Sequence, residues 1–447
     1  MPDGREPGHG QQARWQAVVR HLWRSAYSLP DIPAAASQAA LAPCPQTPGL
    51  EDATQGGSLT IISDIRADVA TSGAGARAGT AAGPGIVRIG LIGCGAIAQV
   101  AHLPAVLSSP QVELAAISDL DASRLQYLRR RYRLGPIAFR DYRDVVGRVD
   151  AVILALPNHL HAPVGVELLS RGIHVLCEKP LALTRQECEQ LCQAARSTAS
   201  VLAVGFVARF FPSTELTKQL LESRFLGELQ SFDYEFGSPG GWSPLSGYNL
   251  ARSTCGGGVL VVSGSHVLDQ MIYLFGDVDV TSHADDCRGG IEANCRTCFA
   301  ATVDGRPLRG RVVLSKTHQL PNRVRIVGER GTLDVRGSQT RSVTFLPSGS
   351  PLRHEITAAA LTPASAEPDC FQLQLHDFVN AIRTGAAPRV DGEQATRSVV
   401  LTERCYAIAT TLEEPWCEAT LERLAHAGPY PPPDTAAPRP PALASAS

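Results

Sequence analysis

The chain reads as α/β: an N-terminal doubly wound domain on a parallel sheet, then an α+β domain carrying a large, mostly antiparallel open sheet. Three observations predict this. From residue 86 to 206 short apolar runs alternate with longer amphipathic stretches, the pattern of a parallel sheet covered by helices on both faces. Within that alternation, the small-residue string Gly93-Cys94-Gly95-Ala96-Ile97-Ala98 joins the first strand to the first helix. After Phe206 the rhythm changes to strand-like runs with few helices between them.

Taken in order, Ile86–Ile92 is the first strand, and a helix follows from Ile97 toward Ser108, strained by Pro104. Val112–Ser118 is the next strand, ending in Asp119, and Asp121 caps a helix to Tyr132. Ala151–Leu156, His174–Cys177 and Val201–Gly205 complete the parallel series. Between them run a helix Ala162–Arg171, stopped by Gly172, and one opened by the capping-box spacing Thr184-Arg185-Gln186-Glu187 and ending near Thr198. In the second half the strands are Leu229–Phe236, Glu292–Val303, Leu308–Leu314, Val324–Val327 and Thr332–Val335. The helices there are Gly258–Phe275, Phe371–Thr384 and Gly392–Ala409. A sheet of this kind has one face on the helices and one face free, which invites a partner subunit; a homo-oligomer, dimer or tetramer, through that sheet is the expectation. The domain limits are then 1–85 for a low-complexity, disordered extension, 86–206 for the dinucleotide-binding unit, 207–425 for the substrate and oligomerisation unit, and 426–447 for a disordered Pro-rich tail.

The composition narrows the class of function. Of 447 residues, 44% are apolar and 19% charged, and the net charge of −2 gives no general attraction to nucleic acid or anionic membrane. No apolar run approaches the ~18 residues of a membrane span, and no secretory leader is visible. Twelve cysteines lacking framework spacing suit a reducing cytoplasm. Cys295-Arg296-Thr297-Cys298 suggests zinc, but it falls on a strand, where residues three apart point to opposite faces, so no metal is expected. Of 41 basic residues only Lys179, Lys218 and Lys316 are lysines. Where composition favours arginine this strongly, a retained lysine is informative, because lysine can give up its proton and arginine cannot.

The Gly-x-Gly-x-x-Ala string is a weak signal alone, but here it follows a strand and opens a helix, as a dinucleotide fingerprint must. Gly93 permits the tight turn, Gly95 lets backbone approach a pyrophosphate, and the N–H groups at Ala96, Ile97 and Ala98 face its negative charge. Ala98 stands where a third glycine is common and still packs closely. Asp119, ending the second strand, can accept hydrogen bonds from both adenosine-ribose hydroxyls and would repel a 2′-phosphate. NAD is therefore expected over NADP, with Arg124 as the feature favouring the latter.

Cys177-Glu178-Lys179-Pro180 sits at a strand end, where doubly wound sheets bind their ligands. Several strings now line up: the Gly-rich turn, Pro157-Asn158-x-x-His161, Val175 to Leu181, Val204-Gly205-Phe206 with Arg209-Phe210 and Pro212, and Gly256-Gly257-Gly258-Val259-Leu260 leading to Gly264-Ser265-His266-Val267-Leu268-Asp269. In this order they resemble the glucose–fructose oxidoreductase / inositol dehydrogenase / rhizopine-catabolism family, Gfo/Idh/MocA, over about residues 86 to 425. The resemblance implies a Rossmann domain, a C-terminal open sheet forming oligomer contacts, a bound nicotinamide cofactor, and oxidation or reduction of a carbinol in a sugar, cyclitol or nucleotide-activated sugar. By the same match, Lys179 hydrogen-bonds the reacting oxygen beside the nicotinamide and His266 is the acid/base. Pro157, Asn158 and Glu178 fall on the cofactor side. His161 and Arg209 join Lys179 and His266 at the substrate. Arg209 fits a phosphate clamp or an interdomain salt bridge equally well. Asp269 reads as structural, and the loop with Trp242, Ser243, Tyr248 and Asn249 as a shaper of the pocket.

One position departs from the family. An aspartate is common one helical turn before the histidine, and Val262 stands there. The enzyme then uses another polar group (Ser263, Ser265, Asn158 or His161), acts on a substrate lacking the hydroxyl that aspartate would bind, or has lost turnover. The last possibility is the rival to a sugar oxidoreductase: a non-catalytic dinucleotide-binding sensor on the same fold.

Overall fold

The structure is a computed structural model that describes residues 85–135, 137–239, 247–287, 289–336, 341–358 and 369–412. The expected N-terminal extension (but for residue 85), the Pro-rich tail, Trp242 and Ser243 lie outside the described residues. Six short strands form the first sheet: β1 Val87–Ile92, β2 Val112–Ser118, β3 Ala138–Phe139, β4 Ala151–Leu154, β5 His174–Cys177 and β6 Leu202–Val204. Their order is β3-β2-β1-β4-β5-β6, and every pairing is parallel. The chain fills one side from β1 to β3, then crosses to begin the other at β4, so the topological switch point lies between β1 and β4. This is the doubly wound arrangement in which the crevice at the strand carboxyl ends receives a dinucleotide. The runs are apolar without alternation because both faces are covered: all four residues of β4 are buried.

The second sheet has nine strands: β7 Leu229–Gly237, β8 Val278–Asp285, β9 Asn294–Val303, β10 Arg306–Ser315, β11 Arg323–Gly328, β12 Gly331–Arg336, β13 Ser342–Pro347, β14 His354–Thr357 and β15 Ala409–Thr411. The order is β14-β13-β12-β11-β7-β10-β9-β8-β15, antiparallel except for β7 with β10 and β8 with β15. The expected mostly antiparallel sheet is present, and β8, β13, β14 and β15 enlarge it. In β9, Cys295, Thr297, Phe299 and Ala301 are buried, while Arg296, Cys298 and Ala300 are half-buried on the opposite face. Cys295 and Cys298 therefore face opposite ways, and the described residues hold no cluster of metal-ligating side chains.

The two units share packing. Phe371, Leu375, Phe378 and Val379 of the helix Cys370–Thr384 are buried in the same core as Ile89 and Leu91 of β1. The helix Gly392–Ala407 packs on both Arg185–Thr198 of the first unit and Gly264–Phe275 of the second. Thr184 completes its capping box with Glu187, and Asp121 caps Ala122–Tyr132, as the spacing requires.

Two expected helices are interrupted. The strain anticipated at Pro104 is taken up by a wide π-type turn, Ala98–His102, closed by the Leu103 N–H donating to the Ala98 carbonyl. The single helix expected over Gly258–Phe275 is two, Val259–Val262 and Gly264–Phe275, in a segment bent by 56°. At the break, Gly264 lies against β10, where an added Cβ would come within 2.7 Å of Leu314 Cδ1, a close approach that glycine allows.

Candidate active site

The carboxyl ends of β1, β2, β4 and β5 are tied together by backbone bonds: Gly93 N–H to Ser118 O, Ala155 N–H to Ile92 O, and Glu178 N–H to Leu154 O. Gly93 has φ +86°, and any side chain on it would overlap the Ala155 carbonyl, so this turn requires glycine. Gly95 is the opposite case: an added Cβ would meet nothing within 4 Å. Its missing side chain opens a space in front of the helix start at Ala96 and Ile97, whose N–H groups have no intrahelical acceptor. Ala98 is fully buried, which explains a small residue there. A turn of this shape fits the pyrophosphate of a dinucleotide.

Asp119 holds the turn from the side. Its Oδ2 accepts the Cys94 N–H at 2.8 Å and the Arg124 guanidinium at 2.8 Å, and its Oδ1 accepts the Asp121 N–H. The carboxylate expected at the adenosine ribose is therefore also a brace for the Gly-rich loop.

Lys179 leaves β5 toward the second unit. Its Nζ donates to the Val262 carbonyl at 2.7 Å, at the break between the two helix segments. Position 262 thus supplies an oxygen through its backbone although its side chain cannot. Burial, with Lys316 adding to it and Glu178 opposing, lowers the Lys179 pKa to about 8. His266 begins the second segment. Its ring lies edge-on to Phe206, and its Nδ1 is buried without a hydrogen-bond partner. Burial first, and the Lys179 charge second, push its pKa well below the usual histidine value, so it is neutral at physiological pH. The Ser265 hydroxyl, also buried, is unpartnered beside it.

The remaining expected residues divide. Glu178 does not present a free carboxylate: Oε1 lies 2.7 Å from His102 Nε2 and Oε2 accepts the Lys179 N–H. Burial works to raise its pKa, but His102 and Lys179 outweigh it and hold the carboxyl below its ordinary value. It therefore positions Lys179. Asn158 donates to the Cys255 carbonyl at 2.8 Å, joining the two units beside Pro157, which precedes its helical turn. His161 is no substrate ligand: it is fully buried, with Nδ1 against Pro180 O and Nε2 against Leu156 O. Arg209 is no phosphate clamp. It is buried in a two-pronged pair with Asp269, at 2.8 and 2.7 Å, and also binds Gln394, so it forms a salt bridge, but one inside the second unit rather than between the units, and Asp269 is structural. From the loop, Tyr248 reaches close enough to Glu178 to feel its charge.

Two residues at the site carried no motif. His102 comes from the wide turn before Pro104, and no spacing in the sequence shows that it reaches Glu178. Glu292 caps the helix Val259–Val262 from another strand region: its carboxylate accepts the N–H groups of Gly258 and Leu260 at 2.9 Å and the Tyr406 hydroxyl at 2.8 Å. A side chain at Gly258 would overlap the Glu292 backbone, which explains glycine at that position.

A parallel doubly wound sheet with this turn, a lysine at a strand end and a neutral buried histidine define a nicotinamide-dinucleotide oxidoreductase. Residues 87–206 match the model described as "Oxidoreductase family, NAD-binding Rossmann fold", GFO_IDH_MocA, and residues 218–411 match that family's C-terminal alpha/beta domain. The chain belongs to this family. It is 28% identical to the rhizopine catabolism protein MocA of Rhizobium meliloti over 322 residues, covering 71% of this chain and 93% of the relative. It is 26% identical to a dTDP-3,4-didehydro-2,6-dideoxy-alpha-D-glucose 3-reductase of Actinomadura kijaniata, over 71% and 94% of the two chains. Among solved structures, a 3-ketoreductase from Actinomadura kijaniata in complex with NADP and TDP-benzene superposes with a TM-score of 0.64 at 23% identity, over 73% of this chain and 99% of that one.

Proposed function

We propose that the protein moves a hydride between a nicotinamide cofactor and a carbinol or ketone of a sugar, cyclitol or nucleotide-activated sugar. The observation that carries this reading is the meeting of Lys179 and His266 across the break at Val262, beside the Gly93–Ala98 turn. The relatives' names, a reductase of a nucleotide-linked sugar among them, support the substrate class. When bound, the nicotinamide supplies the hydride acceptor or donor. The chain's residues handle the proton and the charge. His266 is neutral and uses no hydrogen bond on its buried Nδ1, which suits it to take the hydroxyl proton as an alcohol becomes a carbonyl and to return it in the reverse direction. The Lys179 ammonium spends one N–H on Val262 and keeps two for the reacting oxygen, whose developing negative charge it stabilises. The lost aspartate side chain, the motive for a non-catalytic reading, does not disarm this pair. Lys179→Met and His266→Ala should each lower turnover by about 10²–10⁴ while cofactor binding persists. Wild-type rates in both variants overturn the assignment.

For the cofactor, the Asp119 carboxylate favours NAD. A 2′-phosphate would have to take Arg124 from its bridges to Asp119 and Asp121. Asp119→Ser should therefore shift preference toward NADP, read as the ratio of KM values for the two cofactors. We also expect a homo-oligomer through the open face of the nine-stranded sheet and a cytoplasmic location. Light scattering and cell fractionation test these.

A further inference from the structure

Toward the β14 end of the nine-stranded sheet, β11 and β12 alternate between two surfaces. Val324, Ile326, Leu333 and Val335 are buried in the core that holds the helix Gly264–Phe275, so Arg323, Arg325, Asp334 and Arg336 stand on the opposite, open face. There they line a cavity of about 170 Å³, together with Thr344 of β13 and Arg353 from the segment before β14. The junction of Lys179 with Val262 belongs to the other surface, where Val259–Val262 packs on β9 and β10.

The four guanidinium groups of this cavity are not equivalent. Arg323 donates to Glu235 Oε2 at 2.9 Å, and Arg336 donates to Asp334 Oδ1 at 3.0 Å. Arg325 stands between two carboxylates in the strand register, Asp233 of β7 and Asp334 of β12. Each of these is bonded to a different arginine: Asp233 accepts from Arg311 at 3.3 Å, and Asp334 from Arg336. Glu355, opposite Thr344 on β14, accepts from the Ser342 hydroxyl and does not line the cavity. Among the described residues Arg325 makes no hydrogen bond and no ion pair, and its Nε is buried without an acceptor. Arg353, exposed, has no partner among them either. Three carboxylates thus answer three arginines by direct contact, and two guanidinium groups lining one cavity remain unspent. A buried donor without an acceptor is costly, and native proteins rarely leave one unmet.

We propose that this cavity is a phosphate site, which takes a phosphate dianion, free or as a phosphomonoester, with Arg325 and Arg353 as its principal ligands and Arg323 and Arg336 flanking it. A phosphate carries close to two negative charges at neutral pH, one for each unspent guanidinium. The planar arginine fork suits its oxygens, and the resulting hydrogen bonds are charge-assisted. A carboxylate, with one charge and two oxygens, would satisfy one fork and leave the other. The site is independent of the hydride chemistry proposed at Lys179 and His266.

The test is calorimetric titration of the full-length protein with inorganic phosphate, a hexose 6-phosphate, the free hexose and acetate. It is run in about 150 mM chloride, which screens loose surface attraction. Phosphate should saturate a single site per chain, and acetate should bind much more weakly. Arg325→Met and Arg353→Met should each weaken phosphate binding by about ten-fold or more, the loss of one charge-assisted contact. Arg353 is exposed, so its replacement guards against a folding failure in Arg325→Met. Equal affinity for phosphate and the hexose 6-phosphate identifies free phosphate as sufficient; tighter, arginine-dependent binding of the ester identifies a phosphomonoester, and both outcomes sustain the proposal. Absence of saturable binding, binding that both variants leave unchanged, or equal binding of acetate overturns it. Light scattering on the same samples exposes the rival occupant. If phosphate does not bind and both variants shift an oligomer toward monomer, carboxylates of a second copy fill the cavity and the phosphate site is refuted.

Discussion

Lys179 is governed by neighbours acting on different parts of it: Glu178 takes its backbone N–H, the Val262 carbonyl takes its ammonium, and Lys316 repels its charge. With burial, these hold its pKa at about 8. The ammonium is therefore complete below that pH and is lost as pH rises through it. If the ammonium stabilises the developing alkoxide, kcat/KM should fall on the alkaline side with an apparent pKa near 8. Lys316→Met, which removes one positive charge, should move that limb upward; a profile unchanged by the substitution would deny the coupling. The His102–Glu178 contact is a second residue-scale device. His102→Ala leaves a buried carboxylate short of its donor and should lower the unfolding free energy by about 1.5–3 kcal/mol, read by urea denaturation. Lys179 and His266 were legible in the sequence because each lies in a string with fixed order. His102, Glu292 and Lys316 were not, because their roles come from neighbours distant in the chain. The scarcity of lysine was the one signal that pointed at Lys316.

At the scale of elements, the broken helix is the feature that the sequence could not show. Its residues have the period of one continuous helix, and a Gly and a Ser inside such a run are no proof of a bend. At the break Gly264 lies close to β10, where an added Cβ would make the Leu314 side chain shift. The break turns the Val262 carbonyl to Lys179, so the element supplies an oxygen where the side chain is apolar. Glu292 anchors the start of that short segment. Glu292→Ala strips an acceptor from the Gly258 and Leu260 N–H groups and the Tyr406 hydroxyl, and should cost roughly 2–4 kcal/mol in stability with a fall in kcat. Glu292→Gln, which keeps an oxygen there, should recover much of both. The wide turn Ala98–His102 works similarly, since the accommodation of Pro104 brings His102 to Glu178. By contrast, five of the first sheet's six strands (all but the two-residue β3) and the capped helices were readable, because apolar runs and capping spacings are local signals.

Across the whole molecule, the site exists only because two units are held in one arrangement. Lys179 and Asn158 reach from the first to the second, and just past the boundary the buried Arg209–Asp269 pair with Gln394 ties the second unit's own segments together. Asp269 shows what the pair opposes: burial raises its pKa and Arg209 counters this. Arg209→Met or Asp269→Leu alone should cost about 3–5 kcal/mol, since each leaves a buried charge unpaired, whereas the double variant should lose less than the sum. Additive losses would show that the two side chains act independently. Sequence order alone left Arg209 between clamp and bridge, because only the folded chain brings Asp269 of Gly264–Phe275 and Gln394 of Gly392–Ala407 to it. The central claim is hydride transfer at this junction. The direct measurement is a single turnover of a substrate deuterated at its reacting carbon with oxidised cofactor, followed by mass spectrometry of the nicotinamide. The account predicts deuterium on the nicotinamide with the wild type and a large loss of label with Lys179→Met or His266→Ala; sugar conversion that leaves the nicotinamide unlabelled would contradict it.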